Sequence, residues 1–153
     1  MSRRSRAREV AMQLLFQFDI NGKIPAAAVE PFAKQRLSDP VLVAFCMTIY
    51  QGVSRNVKDI DGRLAKAAEN WRVARMTAVD RNILRIGAFE LLYQTETPHA
   101  VAMDEAIELA RRFGTADSSA FVNGILDRLR RDNAPPAVET VVPETPPETR
   151  LES

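Results

Sequence analysis

Four arginines stand within the first eight residues: Arg3, Arg4, Arg6 and Arg8. A guanidinium is planar and permanently charged, pairs bidentately with phosphate and stacks on bases. The helix dipole does not account for such a cluster, because cations are disfavoured at a helix N-terminus. Two readings remain open from the residues alone, a solvated basic terminus or a grip on nucleic acid. Membrane-surface binding would need an exposed apolar face beside the cations, and the apolar stripe that follows them is required for a core. Other chemistry is sparse. The chain has one histidine, His99, and one cysteine, Cys46. That excludes an intrachain disulfide and a multi-cysteine metal site, and leaves no triad or histidine-based metal cluster. Glu105 and Glu108 sit at i, i+3, the ordinary spacing of solvated carboxylates on a helix. No phosphate-cradling glycine loop is present. The residues therefore predict no active site, no metal and no cofactor.

Binding features are more informative. On a helical wheel, Ala7, Val10, Ala11, Leu14 and Phe18 cluster on one side, and Phe16 falls opposite them beside Met12 and Glu9. An aromatic on the outer face is either covered by another helix or available to a partner. Phe121 stands at the edge of a second apolar stripe, after Asp117-Ser118, which reads as a helix N-cap. Asn123-Gly124 lies mid-helix, where glycine costs about 1 kcal/mol relative to alanine. Close helix packing is the structural explanation, and close approach of a ligand the functional one.

These residues must be positioned by helices. Helix 1, about 3–19, is read from its i, i+3, i+4 apolar spacing and ends at Asn21-Gly22. A short helix follows near 26–37. Asp39-Pro40 starts a third, an acid at the N-cap and proline at the first position. A fourth, about 57–70, either continues the third or bends from it at Gly52–Val57. Thr77-x-x-Asp80 resembles a weak capping box before a fifth helix, about 78–94. That helix is apolar almost all round and should be central and buried. Glu90 within it needs a partner, naturally an arginine from helix 1 or 7. Helix 6, about 99–113, ends near Gly114, placed as a C′ residue. Helix 7 starts around Ala116–Ser118 and carries Val122, Ile125, Leu126 and Leu129 inward. No strand pattern and no internal repeat are seen.

A chain of 153 residues suits one domain with a real core. Residues 134–153 sum to −3, which leaves +4 for 1–133 from a total of +1, so any nucleic-acid role rests on local clustering. Five of the nine prolines fall in 134–153, without aromatics or helical period, so this segment is expected to be a disordered, proline-rich acidic tail to a domain at 1–133. No run approaches a membrane span and no secretory signal is seen, so a cytoplasmic protein is expected.

Four segments are similar to the NusB family of bacterial transcription antitermination factors: "RARE" at 6–9, "WRVARMTAVDRNILRIGAFELLY" at 71–93, "AVAMDEAIELARRFG" at 100–114 and "DSSAFVNGILDRL" at 117–129. The resemblance covers about 3–132, with 20–68 matching mainly in helical order. It implies an all-α fold of about seven helices in two packed bundles. It also implies a non-enzymatic protein that binds boxA, a single-stranded RNA element of nascent ribosomal RNA transcripts. The partner would be NusE, a small-subunit ribosomal protein, and the complex would load onto RNA polymerase. Carried over position by position, Arg3, Arg4, Arg6 and Arg8 match the RNA-contacting segment, with Ser5 interrupting a run that is often fully basic. Asp117 and Phe121 match positions near the RNA surface. Phe16, with Met12 beside it, and Asp80 match the NusE-facing surface. Some family members form homodimers that cover the RNA surface, so monomer and homodimer stay open. A protein–protein scaffold without direct RNA contact is the alternative.

Overall fold

The computed structural model describes residues 3–22, 24–69, 71–94 and 96–133. The expected tail at 134–153 lies outside them. Among the described residues there are seven α-helices and one 3₁₀ turn, and no strand. The helices are α1 (Arg3–Asn21), α2 (Ala26–Arg36), α3 (Pro40–Arg55), α4 (Val57–Ala67), α5 (Ala78–Leu92), α6 (His99–Phe113) and α7 (Ser118–Asp132).

Local signals set most of the boundaries. Gly22 ends α1 at φ 81°, a left-handed conformation open to glycine without steric cost. Asp39 caps α3 by accepting from the Val41 N–H at 2.8 Å, with Pro40 at the first position. α3 and α4 are separate helices: the Asn56 backbone N–H and side-chain amide both donate to Gly52 O and close the end of α3. α4 stops at Ala67, earlier than its expected limit, which frees a linker holding Trp71 and the 3₁₀ turn Val73–Arg75. Thr77 Oγ1 accepts from the Asp80 N–H at 3.1 Å, one half of the expected capping box.

Two groups of helices share α5. α1 packs on α2, α3 and α5, and α7 packs on α4 and α6, all three of which pack on α5. Eleven of the fifteen residues of α5, from Asp80 to Leu91, are buried, as an all-round apolar helix requires. The approach of α3 to α5 is close: a Cβ on Gly52 would stand 2.2 Å from the Phe89 ring. Gly114, expected as a left-handed C′ residue, has φ −93° instead. Its lack of a side chain is explained by Ser118, whose Oγ would lie 2.3 Å from a Cβ there.

Charged residues also enter the core. Arg8 of α1 is 3% exposed and Glu90 of α5 1% exposed. Arg8 Nε and Nη2 donate to the two Glu90 oxygens at 2.7 Å each. This is the arginine partner that Glu90 required. At the other end of α1, Asp19 accepts from Arg81 at 2.8 Å and Asn82 at 3.1 Å and pairs with Arg85. Arg85 reaches on to Asp61 of α4 at 2.7 Å, so one polar chain ties α1, α5 and α4.

Candidate nucleic-acid interface

The first turns of α1 present their arginines unequally. Arg3 is exposed and paired with Asp39. The Arg4 guanidinium is exposed and lies 4.6 Å from the centroid of the Phe45 ring. Arg6 pairs with Glu9 at 2.9 Å while 40% of its side chain stays exposed. Arg8 differs from the other three: it is 3% exposed, committed to Glu90 with Glu105 3.6 Å away, and reaches the groove described next only at its lining. Ser5, which interrupts the arginine run, turns inward and donates to Glu105 Oε1 at 2.5 Å. Arg3 and Arg4 border an open groove of about 810 Å³ that continues over Phe45, Gln94, Thr97, Pro98 and Val101. Arginines, apolar side chains and two carboxylates, Glu96 and Glu105, line it together.

The second surface lies further along α1. Phe16 is 38% exposed, on the outer face that the wheel assigned to it. Met12 and Glu9, expected beside it on the outside, are instead buried. The reason for Glu9 is a pair of cations, Arg6 and Arg112, that take its two oxygens. Met12 forms the base of an open, mostly apolar groove of about 430 Å³ with Phe16, Phe32, Val79 and Phe113 along it. The Arg36 guanidinium rests 3.6 Å from the Phe32 centroid at the same place. Asp80 is nearly buried at 9% exposure rather than displayed. Its Oδ1 is buried without a hydrogen-bond partner among the described residues, an arrangement that costs free energy unless something donates to it.

The third surface joins α7 to the α4–α5 linker. Asp117 is exposed and its side chain caps nothing. The N-cap expected of it is not formed, and Ser118 Oγ instead accepts from the Thr115 N–H at 2.9 Å in the turn before α7. Phe121 is half-buried and meets Trp71 edge-on, ring centroids 5.3 Å apart. Gly124 shows no close packing: a Cβ there would meet nothing within 4 Å. Trp71 stands in the sequence only as the first residue of the 71–93 motif. Its available signal is its type, the single tryptophan of the chain, placed between two helices.

Cys46 is fully buried, and burial pushes its thiol up to about 12, so it is a packing residue in α3 and not a thiolate. Among the described residues, no three His, Cys, Asp or Glu side chains are grouped to hold a metal. No helix among them is long and apolar enough to cross a membrane.

Comparisons with known proteins bear on these surfaces. The profile of the NusB family matches residues 5–131. A transcription antitermination protein NusB from Sorangium cellulosum (strain So ce56) is 43% identical over 129 residues, covering 84% of this chain and 92% of that protein. The crystal form of T. maritima NusB superposes with a TM-score of 0.76 at 35% identity, over 88% of this chain and 94% of that one. A structure of the antitermination factors NusB and NusE in complex with dsRNA shares the fold, with a TM-score of 0.77 at 21% identity over 86% of this chain and 98% of that chain.

Proposed function

The chain belongs to the NusB family, and from that we propose that it is a transcription antitermination factor. In this reading it binds the boxA RNA of nascent ribosomal RNA transcripts together with NusE and acts as a non-enzymatic adaptor to RNA polymerase in the cytoplasm. The observation that carries the reading is the 43% identity to a transcription antitermination protein over most of both chains. The surfaces support it chemically. Arg3 and Arg4 are exposed cations lining an open groove, and Arg6 keeps 40% of its side chain exposed beside them in the chain, an arrangement suited to phosphates and unstacked bases. Asp117 and Phe121 extend the RNA-facing set. The apolar groove at Phe16, with Met12 beneath it and Asp80 on the adjoining helix α5, is the surface for NusE.

Titration of labelled single-stranded boxA RNA, with and without NusE and at two salt concentrations, tests this. With about 0.7 counterions released per single-strand phosphate contact, three available arginines give a slope of log affinity against log salt of about −2. NusE is expected to tighten binding, because two surfaces then engage one RNA. Affinity that does not change with salt would sink the model.

The apolar groove at Phe16 favours one other reading, a protein–protein scaffold that never touches RNA. Replacing Arg3, Arg4 and Arg6 by alanine separates the two. Lost RNA binding with intact NusE binding supports the adaptor, and unchanged RNA recruitment supports the scaffold. Arg8 is left out of this variant because its removal attacks the core.

A further inference from the structure

We propose that Trp71 is a stacking platform for a nucleobase of single-stranded RNA, seated in the shallow groove between the α4–α5 linker and α7. The proposal rests on the RNA-binding reading and assigns it a contact distant in sequence from the arginines.

Four observations converge on this groove. Trp71 is 59% exposed although indole is among the most costly side chains to leave in water. It is not loose: Phe121 packs against it in a T-shaped pair, ring centroids 5.3 Å apart, and the indole lines an open groove. Gly124 stands one turn beyond Phe121 on α7 and lines the same groove, and no packing contact explains its missing side chain. Its absence keeps open a space of about 380 Å³ beside the indole. The charge is suitable. Arg72 and Arg75 follow Trp71 in the chain, are exposed, and form no ion pair among the described residues. Arg131 lines the groove too, exposed and, among the described residues, paired only with Asp127 on its own helix, while the lining acid Glu69 is paired with Arg128.

An aromatic face beside arginines is the arrangement that holds single strands, one base on the ring and neighbouring phosphates on the cations. A protein partner of comparable affinity would need a larger apolar patch than one indole. Duplex RNA does not fit either, because its bases are already stacked on one another and present no free face. The mid-helix glycine is then explained by the ligand: a side chain at 124 would occupy the place of the base.

Trp71 is the only tryptophan of the chain, so its fluorescence reports this contact directly. The full chain is titrated with fluorescein-labelled single-stranded boxA RNA, and anisotropy and tryptophan emission are followed in parallel. Stacking is expected to quench Trp71 with the same midpoint as the anisotropy change, and the matching duplex to leave Trp71 unquenched. Trp71→Ala is expected to weaken single-strand binding by roughly 5- to 150-fold, the range of base–aromatic stacking, and Trp71→Phe to recover part of it. Gly124→Gln covers the case in which Trp71→Ala disturbs the fold. Its Cβ enters open space, so the helical circular dichroism should hold while binding falls and the quench shrinks. RNA binding with unchanged Trp71 emission, or full affinity in Trp71→Ala and Gly124→Gln, overturns the platform and leaves the RNA-binding function standing. Equal quenching by duplex overturns it as well. Absence of any anisotropy change overturns the platform together with the RNA-binding reading.

Discussion

Arg4 and Arg8 are one helical turn apart and lie over the same ring, Phe45, at 4.6 and 5.0 Å. One is exposed and the other is locked to Glu90. Residue type is identical, so the neighbour across the helix interface decides the role. Arg8→Ala would leave the Glu90 carboxylate buried and unpaired, and is expected to destabilise by about 3–5 kcal/mol in chemical denaturation. Arg8→Met with Glu90→Met removes both charges and is expected to be close to neutral. An equally large loss in the double variant would mean that the ion pair contributes shape rather than charge compensation. Asp19 gives a pH signature. Burial pushes its carboxyl up, but the Arg81 hydrogen bond, the Arg85 and Arg81 charges and the Asn82 bond outweigh that and hold it below the ordinary 3.8. A lowered folded-state pKa contributes stability that is present above the unfolded value and lost as pH falls through the folded one. The melting temperature is therefore expected to drop as pH falls below about 4, with a shallower drop in Asp19→Asn. Parallel curves for the two proteins would assign acid sensitivity to other carboxylates.

At the scale of elements, two helical glycines carry opposite constraints. Gly52 in α3 faces the Phe89 ring of α5, and a Cβ would lie 2.2 Å from it. Gly52→Ala is expected to cost about 1–3 kcal/mol through overpacking. Gly124 in α7 faces open space, so Gly124→Ala should gain up to about 1 kcal/mol from helix propensity. Thermal unfolding of the two variants checks both signs, and a destabilised Gly124→Ala would show that the groove side of α7 is tighter than its geometry. The helices themselves were legible in the sequence. The Asp39-Pro40 start, the Asn21-Gly22 stop and the apolar periods are local signals, and the structure follows them within a few residues. The failures have a common cause. Glu9 and Met12 lie on the outer side of the α1 wheel yet are buried, because α1 is surrounded by α2, α3 and α5 and receives Arg112 from α6. A wheel shows the orientation of a residue about its own axis but not how many helices surround it.

For the whole molecule, a polar relay ties the end of α7 to α4 and to the end of α5. Asn133 accepts from Arg63, Arg63 pairs with Asp59, and Asp59 accepts from the Tyr93 hydroxyl. The next residue, Gln94, lines the groove bordered by Arg3 and Arg4. Residues 134–153, with a net charge of −3, follow Asn133 in the chain. If this segment competes with RNA for the arginines, deleting 134–153 should tighten RNA binding several-fold at low salt, with the gain fading as salt screens it. Unchanged affinity at low salt counts against competition.

Linear order was enough for the all-helical class, the capping signals, the apolar stripes, the arginine cluster and the outward position of Phe16. Each depends on neighbours within a turn or two, where helical geometry is regular. The requirement that Glu90 have a cationic partner could also be read, but not which arginine would meet it. Packing made that choice, and with it buried Arg8, Met12 and most of Asp80, and left Asp117 without a capping bond. It also joined Trp71 to Phe121 across fifty positions of chain. Those outcomes depend on which helices pack together and at what separation, and contacts between residues far apart in sequence carry no local signal.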